Sequence, residues 1–220
     1  MNVIAILGPT ASGKSSAAMH LARKYNGEIV GCDAFQIYRG MDIGTAKSST
    51  QERAEIPHHM IDIISPDETY TAARYSNDAL QCIHNINSRG KVAIVCGGTG
   101  FYWRSLYRGI SDAPTGNDEL RARLERLDND TLHAKLAAID QISADRIPLG
   151  NKRRIIRALE VFELSDKPFS QFQAHGEPRF DAKIYAIDLE REELYNRINS
   201  RVDSMVSGGL LDEISSLLNS

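Results

Sequence analysis

The chain has 220 residues, a net charge of −3 and 42% hydrophobic residues, a balance typical of a folded globular domain with a modest insertion. Because the whole molecule is slightly acidic, binding to nucleic acid would require a local basic patch. No segment approaches the roughly 18 apolar residues of a membrane-spanning helix. The amino terminus also lacks the pattern of a signal peptide, so we expect a cytoplasmic protein.

The first predicted element is an apolar strand at Val3–Leu7, and a phosphate-binding pattern follows it directly. Gly8-Pro9-Thr10-Ala11-Ser12-Gly13-Lys14-Ser15 matches the P-loop pattern G-x-x-x-x-G-K-[ST] at every fixed position. The residues after it predict an amphipathic helix over Lys14–Tyr25. In such a loop, backbone N–H groups converge on phosphate oxygens at a helix amino terminus. Lys14 adds a point charge and Ser15 can hold Mg²⁺. The segment therefore predicts a polyphosphate site, but it does not indicate which polyphosphate binds.

Further apolar runs alternate with helical patterns and predict a parallel sheet. Strands are expected at Glu28–Cys32, Met60–Ile64, Val92–Cys96 and Ile184–Leu189, with a long helix at Thr71–Ser88. This alternation is typical of an α/β fold, a P-loop NTPase-like parallel sheet flanked by helices. Ligands of such folds gather beyond the carboxyl ends of the strands.

Residues 112–181 interrupt the alternation with helical patterns alone. Helices are expected at Asp118–Leu127, Thr131–Ile139 and Asn151–Leu164, and Asn151 is a suitable cap for the last of them. We therefore predict a core domain of residues 1–111 and 182–220 and an α-helical insertion domain of residues 112–181.

Two more helices are expected after the last strand, at Glu190–Val206 and Leu210–Leu218, separated by Gly208-Gly209. The sequence stops while the pattern is still helical. That ending is expected either of a compact domain edge or of a chain truncated at the carboxyl terminus.

Asp33 is the first candidate for chemistry, because it follows the second predicted strand and should lie beside the P-loop. Two functional roles remain open: a carboxylate that helps to hold Mg²⁺, or a general base that accepts a proton from an incoming nucleophile. The structural alternative is an aspartate that caps the next turn.

Gly97-Gly98-Thr99-Gly100 forms a second glycine-rich turn after a predicted strand. Its glycines permit close approach of the backbone to a ligand, and the Thr99 hydroxyl offers one directional contact. The same residues also serve ordinary strand-to-helix turns. The expected position at the P-loop edge of the sheet favours a functional role.

A basic cluster in the insertion and a pair of histidines each have a functional and a structural interpretation. Lys152, Arg153, Arg154 and Arg157 could contact a phosphodiester backbone, although a charge run by itself is usually a solvated helix face. His58 and His59 are interpreted as structural, since neighbours on a strand point to opposite faces. Cys32 and Cys96 each end an apolar run, so we expect both to be buried and reduced.

Taken together, these motifs resemble the bacterial tRNA dimethylallyltransferases, also called tRNA isopentenyltransferases. The resemblance rests on motifs in the same order and at similar spacing: the P-loop Gly8–Ser15, Asp33-x-x-Gln36-Ile37-Tyr38, Gly44-Thr45-Ala46-Lys47, Pro57-His58-His59, Gly97-Gly98-Thr99-Gly100-x-Tyr102 and Arg157-Ala158-Leu159-Glu160. It implies transfer of a dimethylallyl group from dimethylallyl diphosphate to the exocyclic amine of the tRNA adenosine just 3′ of the anticodon. The acceptors would be tRNAs that read U-initial codons, and diphosphate would be released.

The resemblance also implies roles for individual residues. Asp33 would be the base and Thr99 would contact the target nucleotide, both as catalytic residues. Diphosphate would be held by Gly8, Pro9, Thr10, Ala11, Ser12, Gly13, Lys14, Ser15 and Arg201, with Mg²⁺ on Ser15. The tRNA, through its anticodon stem-loop, would meet Asp33, Ala34, Phe35, Gln36 and Thr99, and in the insertion Arg121, Arg153, Arg154, Ile155, Ile156 and Arg157. The protein is expected to act as a monomer without membrane contact.

Two departures from the family pattern stand out. Asp33-Ala34-Phe35-Gln36 replaces the usual Asp-Ser-Met-Gln, which keeps bulk against a base and removes one hydroxyl. Family members also commonly continue with a further helical segment, so we expect this chain to lack part of a complete member.

Three other functions remain open at this stage. They are a small-molecule kinase with ATP in the P-loop, an isopentenyltransferase that uses free adenine nucleotides, and a tRNA-binding remnant with weak catalysis. The later motifs argue against the first. The Gly44–Lys47 stretch and the basic insertion favour tRNA over a free nucleotide.

Overall fold

The computed structural model describes residues 1–172 and 176–219. Its chain divides into two compact units, a core unit of Met1–Gly109 with Pro178–Ser220 and a helical unit of Ile110–Glu177. Residues 173–175 of the predicted insertion and residue 220 of the predicted core lie outside the described residues.

The core unit contains a five-stranded parallel sheet of order β3-β2-β4-β1-β5, which confirms the predicted α/β fold. The strands are β1 Val3–Leu7, β2 Gly27–Gly31, β3 His58–His59, β4 Val92–Gly97 and β5 Ala182–Ala186. The central position of β4 places the ends of β1 and β2 on either side of it. The three loops that follow these strands therefore meet at one edge.

Helices cover both faces of the sheet. The core unit begins with α1 Lys14–Tyr25, α2 Thr50–Glu55, α3 Ala72–Ser88 and α4 Gly100–Arg108. Ile4 and Ile6 of β1 pack towards α1, whereas Val3 and Ala5 pack into the cluster that contains residues of α3 and α4. This alternation follows from the two-residue period of a strand.

The helical unit holds α5 Asp118–Glu125, α6 Asn129–Ile139, α7 Gln141–Arg146 and α8 Lys152–Ser165 around its own hydrophobic cluster. The predicted cap of α8 is confirmed, because the Asn151 side chain accepts a hydrogen bond from the Arg154 N–H. The core unit then ends with α9 Arg191–Ser207 and α10 Leu210–Leu218. None of the helices in residues 1–172 and 176–219 combines the length and apolar character needed to cross a membrane.

The predicted strand at Met60–Ile64 is wrong. The strand is the pair just before it, His58–His59. Met60 and Asp62 have φ angles of 62° and 54°, and this left-handed backbone cannot continue an extended ladder. Ile64 alone from that run forms an isolated bridge, to Tyr38.

One buried carboxylate, that of Glu28, links the neighbouring strands β2 and β3 to the turn between α3 and β4. Glu28 of β2 has a side chain only 2% exposed, and it accepts hydrogen bonds from Arg89 at 2.6 and 2.8 Å and from Lys91 at 2.7 Å. His59 Nε2 of β3 lies 2.8 Å from the same carboxylate. The Arg89 hydrogen bonds, with help from Lys91 and His59, outweigh burial and hold the pKa of Glu28 well below its usual range.

We expect Glu28→Gln to lower the free energy of unfolding at pH 7 by about 2 kcal/mol, because Arg89, Lys91 and His59 lose the buried carboxylate charge that they contact. A depressed carboxylate pKa stabilises the fold above the unfolded value of about 4.3, and that contribution declines as the pH falls below it. Urea unfolding followed by the fluorescence of the single tryptophan, Trp103, measures the difference. Glu192→Gln, at an exposed site in the same unit, is the matched control. A deficit that stays constant from pH 7 to pH 3 would contradict this role.

Candidate active site

Three loops at the carboxyl edge of the sheet line one cavity. They are the P-loop after β1, the turn at Asp33 after β2, and the Gly97-Gly98 turn after β4. The cavity wall also contains residues from the loop before α2 and one from α9. Its lining includes Thr10, Lys14, Ser15, Asp33, Gln36, Thr45, Gly97, Gly98 and Arg201.

The P-loop has the backbone form that an anion site needs. Gly13 lies at φ 88° immediately before α1, and no side chain caps that helix, so its first N–H groups are left for a ligand. Gly8 is required for packing, since a Cβ there would lie 2.8 Å from the Ile187 carbonyl oxygen. The Ser12 hydroxyl oxygen is buried and has no hydrogen-bond partner among the described residues.

Two cationic side chains share this cavity. The Lys14 ammonium donates to the Pro9 carbonyl oxygen, and burial lowers the pKa of Lys14 despite the opposing effect of Asp33. Arg201 comes from α9, and its Nη2 donates to the Thr45 carbonyl oxygen at 3.4 Å. Within the described part of the chain, its buried Nε has no partner. Buried polar groups are normally satisfied, so Ser12 and Arg201 together indicate a site for an anionic ligand.

Asp33 is half-buried at the end of β2. Its Oδ1 accepts a hydrogen bond from the Phe35 N–H at 2.9 Å, so the side chain does cap its own turn. It also lines the cavity that contains Lys14 and Arg201. The capping bond fixes one carboxylate oxygen and leaves the other for a ligand or a proton.

Thr99 holds the Asp33 turn from the neighbouring strand. Its Oγ1 accepts from the Ala34 N–H at 3.0 Å, and its own N–H donates to the Cys32 carbonyl oxygen at 3.2 Å. Gly97 permits this approach, because a Cβ there would lie 2.0 Å from the same carbonyl oxygen. The hydroxyl proton of Thr99 remains available, so this residue can position Asp33 and also donate a hydrogen bond to a ligand.

The Gly44–Lys47 motif has a structural role at Lys47. The Lys47 ammonium is 1% exposed, and it contacts Asp42 at 2.5 Å, Asp62 at 2.6 Å and the Tyr38 carbonyl oxygen at 2.8 Å. Thr45, by contrast, lines the cavity, and its carbonyl oxygen accepts from the Gln36 side-chain amide at 3.1 Å. The motif therefore forms part of the cavity wall through Thr45, and its Lys47 does not place a cation in the cavity.

A second, more apolar cavity of about 530 Å³ adjoins the first, and sequence reasoning missed it. Thr10, Asp33, Thr45 and Arg201 line both cavities. The remaining walls are Phe35, Met41, Gly44, Ile198, Val202, Met205, Leu210, Glu213, Ile214 and Leu217. The helical spacing of the apolar residues in α9 and α10 was the available signal, but it does not reveal which element they face.

The arginines predicted to contact tRNA fall into two groups. Arg153 and Arg154 are exposed in the first turn of α8, and no ion pair or hydrogen bond of their side chains occurs within residues 1–172 and 176–219. Cations there face the positive end of the helix dipole, an unfavourable placement for stability alone. Arg157 and Arg121 instead pair with the fully buried Glu160, at 2.6 and 2.9 Å.

Ile155 and Ile156 are removed from the set of tRNA-contact candidates. Their side chains are 0% and 3% exposed and belong to the hydrophobic cluster of the helical unit. The helical period turns these two residues inwards while Arg153 and Arg154 face solvent.

The histidines and cysteines near the cavity have structural contacts. His58 Nδ1 lies 2.7 Å from the Ile56 carbonyl oxygen, and His59 pairs with Glu28. Burial raises the pKa of Cys32 to about 12 and that of Cys96 to about 11, so both thiols stay protonated. Cys96 is partly exposed at the cavity, contrary to the expectation of full burial. Within the described ranges, no group of three His, Cys, Asp or Glu side chains could hold a metal ion.

We expect inorganic diphosphate to bind this cavity, and Arg201→Met to weaken the binding roughly tenfold by removing one charge-assisted contact. Titration calorimetry with Mg²⁺ present measures both dissociation constants. Arg197→Met is the matched control, since Arg197 is exposed on the same helix and pairs with Glu193. Equal affinities for the wild type and Arg201→Met would exclude Arg201 from the anion site.

Comparison with known proteins identifies the family of the chain. The family model described as IPP transferase matches residues 36–220. A tRNA dimethylallyltransferase of Trichlorobacter lovleyi is 47% identical over 226 residues, covering 99% of this chain and 74% of that protein. One from Geotalea daltonii is 44% identical, covering 99% of this chain and 69% of that protein.

Solved structures give the same result. A tRNA isopentenylpyrophosphate transferase of Staphylococcus epidermidis has a TM-score of 0.66 and 40% identity, covering 99% of this chain and 73% of that one. A eukaryotic dimethylallyltransferase acting on tRNA has a TM-score of 0.84 and 30% identity, covering 100% of this chain and 56% of that one. The chain belongs to the IPP transferase family.

Proposed function

We propose that the protein is a tRNA dimethylallyltransferase. It transfers the dimethylallyl group of dimethylallyl diphosphate to the N6 amine of the adenosine 3′ of the anticodon, in tRNAs that read U-initial codons. The observation that carries this proposal is a single cavity that combines a P-loop and two cations with a separate carboxylate, Asp33. The relatives named above supply the substrate class.

The P-loop side of the cavity is assigned to the diphosphate of the donor. Backbone N–H groups of the P-loop residues other than Pro9, the Lys14 ammonium and the Arg201 guanidinium would surround its oxygens. When the carbon–oxygen bond of the donor breaks, negative charge grows on the departing diphosphate. Cations preorganised in a partly desolvated site stabilise that charge more in the transition state than in the ground state.

The cavity also fits Mg²⁺ bound together with a diphosphate. Ser15 offers a hard oxygen donor in its wall, and Mg²⁺ usually keeps several waters and phosphate oxygens instead of a full protein cage. The ion would neutralise part of the diphosphate charge when bound. This assignment needs no cluster of carboxylates.

Asp33 is assigned as the base for the adenine amine. The amine nitrogen attacks the first carbon of the dimethylallyl group, and the bond from that carbon to the diphosphate oxygen breaks with its electron pair leaving on diphosphate. The proton of the amine passes to the Asp33 carboxylate. Thr99 fixes the turn that carries Asp33 and can donate a hydrogen bond from its hydroxyl to the target nucleotide.

The target adenine would have to leave the anticodon-loop stack to reach this cavity. Phe35 is 61% exposed next to Asp33 and presents an aromatic surface for stacking. Ala34 and Gln36 flank it, and the Gln36 amide nitrogen is already committed to the carbonyl oxygens of Thr45 and Ala46. We therefore assign the face of the pocket formed by residues 33–36 to the nucleotide.

Arg153 and Arg154 are assigned to the tRNA backbone, with Arg157 and Arg121 supporting the helix that carries them through Glu160. The protein would act as a monomer in the cytoplasm, where its tRNA acceptor is found. The monomeric state and the cytoplasmic location remain predictions.

One assay separates this function from its rivals. Labelled dimethylallyl diphosphate is incubated with the protein and unmodified tRNA, with AMP, or without acceptor. Label on tRNA alone supports the proposal, and label on AMP alone would indicate a free-nucleotide enzyme. ATP hydrolysis without prenyl transfer would favour a kinase. Binding of tRNA without prenyl transfer would indicate a tRNA-binding remnant with weak catalysis.

We expect Asp33→Asn to reduce the turnover number by roughly 10²–10⁴-fold, the usual contribution of a general base, while the affinity for diphosphate stays within about twofold. Single-turnover transfer and diphosphate calorimetry are the two measurements. Asp67→Asn, at an exposed site of the core unit, is the control. Turnover like the wild type in Asp33→Asn would remove the base assignment.

We expect Arg153→Gln combined with Arg154→Gln to weaken tRNA binding and to flatten its dependence on salt. Losing two phosphate contacts should reduce the slope of log K against log salt by about 1.5. Filter binding at several salt concentrations gives the slope. Lys135→Gln, at an exposed site of the same unit, is the control. An unchanged slope would indicate that both arginines belong to a solvated helix face and do not contact tRNA.

A further inference from the structure

We propose that Glu213 of α10 is a positioning residue of this active site, which holds the loop of residues 41–45 in place and thereby sets the wall shared by the two cavities. The loop carries Met41, Gly44 and Thr45 into the cavity lining. This inference rests on the proposed function, and it adds a residue that neither the motifs nor the P-loop chemistry identifies.

The contact itself is unusually complete. Glu213 Oε2 accepts hydrogen bonds from the N–H groups of Asp42 at 2.8 Å and Ile43 at 2.7 Å, and Oε1 accepts from the Gly44 N–H at 3.0 Å. These are consecutive backbone donors about 170 residues away in sequence. One carboxylate therefore fixes the path of the backbone through this turn.

The charge of Glu213 matters as well as its shape. Burial opposes ionisation, but the N–H groups of Gly44, Ile43 and Asp42, together with Lys47, outweigh it and lower the pKa of Glu213. The carboxylate is thus an acceptor-only group around physiological pH. A glutamine in its place would direct its side-chain NH₂ group, a donor, at a backbone N–H donor in at least one of the three contacts.

Thr45, the residue after this turn, connects the loop to Arg201 of the proposed diphosphate site. The Thr45 carbonyl oxygen accepts from Gln36 at 3.1 Å and from Arg201 at 3.4 Å. Arg201 is the cation whose buried Nε lacks a partner in the described part of the chain. If the loop moves away from α10, the anchor of Arg201 moves with it, and the apolar cavity beside Glu213 changes its width.

The loop has a second, independent attachment. Lys47 binds Asp42, Asp62 and the Tyr38 carbonyl oxygen, so the far end of the loop stays fixed when Glu213 changes. Loss of the Glu213 contact should accordingly displace residues 43–45 locally, while Asp42 stays attached to Lys47 and the fold stays intact. This separates a positioning role from a general loss of stability.

The test compares Glu213→Gln and Glu213→Asp with the wild type and with Asp212→Asn, an exposed neighbour on the same helix. Gly44→Ala disturbs the same contact from the loop side, because its Cβ would lie 3.1 Å from Leu210 Cδ1 and 3.5 Å from Glu213 Oε1. The measurements are KM for dimethylallyl diphosphate, KM for tRNA, kcat, the dissociation constant of inorganic diphosphate and Tm.

We expect KM for dimethylallyl diphosphate to rise roughly tenfold and the diphosphate dissociation constant roughly fivefold in Glu213→Gln, within the usual range for coupled sites. KM for tRNA and Tm should stay near the wild-type values, and Asp212→Asn should match the wild type throughout. A fall in Tm with kcat reduced and KM unchanged would make Glu213 merely structural and overturn the inference, as would unchanged donor kinetics. A wild type that binds diphosphate but transfers no prenyl group would refute the proposed function, while the diphosphate affinity would still test Glu213.

Discussion

The site depends on the close approach of β4 to β2 at Gly97. A side chain at this position would overlap the Cys32 carbonyl oxygen, so only glycine allows the two strand ends to lie this near. The approach lets the Thr99 N–H reach the Cys32 carbonyl oxygen and the Thr99 hydroxyl reach the Ala34 N–H. Asp33 is therefore positioned by backbone packing before any ligand binds.

The same arrangement separates opposite charges within one cavity. Lys14 and Arg201 line the part of the cavity proposed for the phosphates, and Asp33 lies just beyond the end of β2. If Asp33 formed a tight ion pair with Lys14, both the proposed base function of Asp33 and the positive charge proposed to bind diphosphate would be weakened. The Lys14 ammonium instead donates to a carbonyl oxygen of its own loop, and Asp33 is held by the Phe35 N–H. Each group is fixed without neutralising the other.

Much of the fold followed from local patterns in the sequence. Hydrophobic periodicity predicted α1 and α10 at their observed bounds and the strand β1, since these elements carry their own period and boundaries. The run Met60–Ile64 failed, because two residues in left-handed conformation cannot be recognised from apolar character alone. The P-loop, Asp33 and Thr99 were identifiable because each directly follows a strand. Arg201 depended on resemblance, and Glu213 on contacts about 170 residues apart that no local pattern encodes.

The helical unit illustrates why a charge run must be resolved into its members. Four cations lie close together in sequence, at Lys152, Arg153, Arg154 and Arg157, yet α8 turns Arg157 towards Glu160 and leaves Arg153 and Arg154 exposed. The inward pair explains the motif Arg157-Ala158-Leu159-Glu160 as an internal ion pair between residues one helical turn apart. A surface role for the cluster then rests on Arg153 and Arg154, which are placed against the helix dipole and gain nothing there without an anion. The stability of the helix and its proposed affinity for a polyanion thus depend on different residues of one cluster.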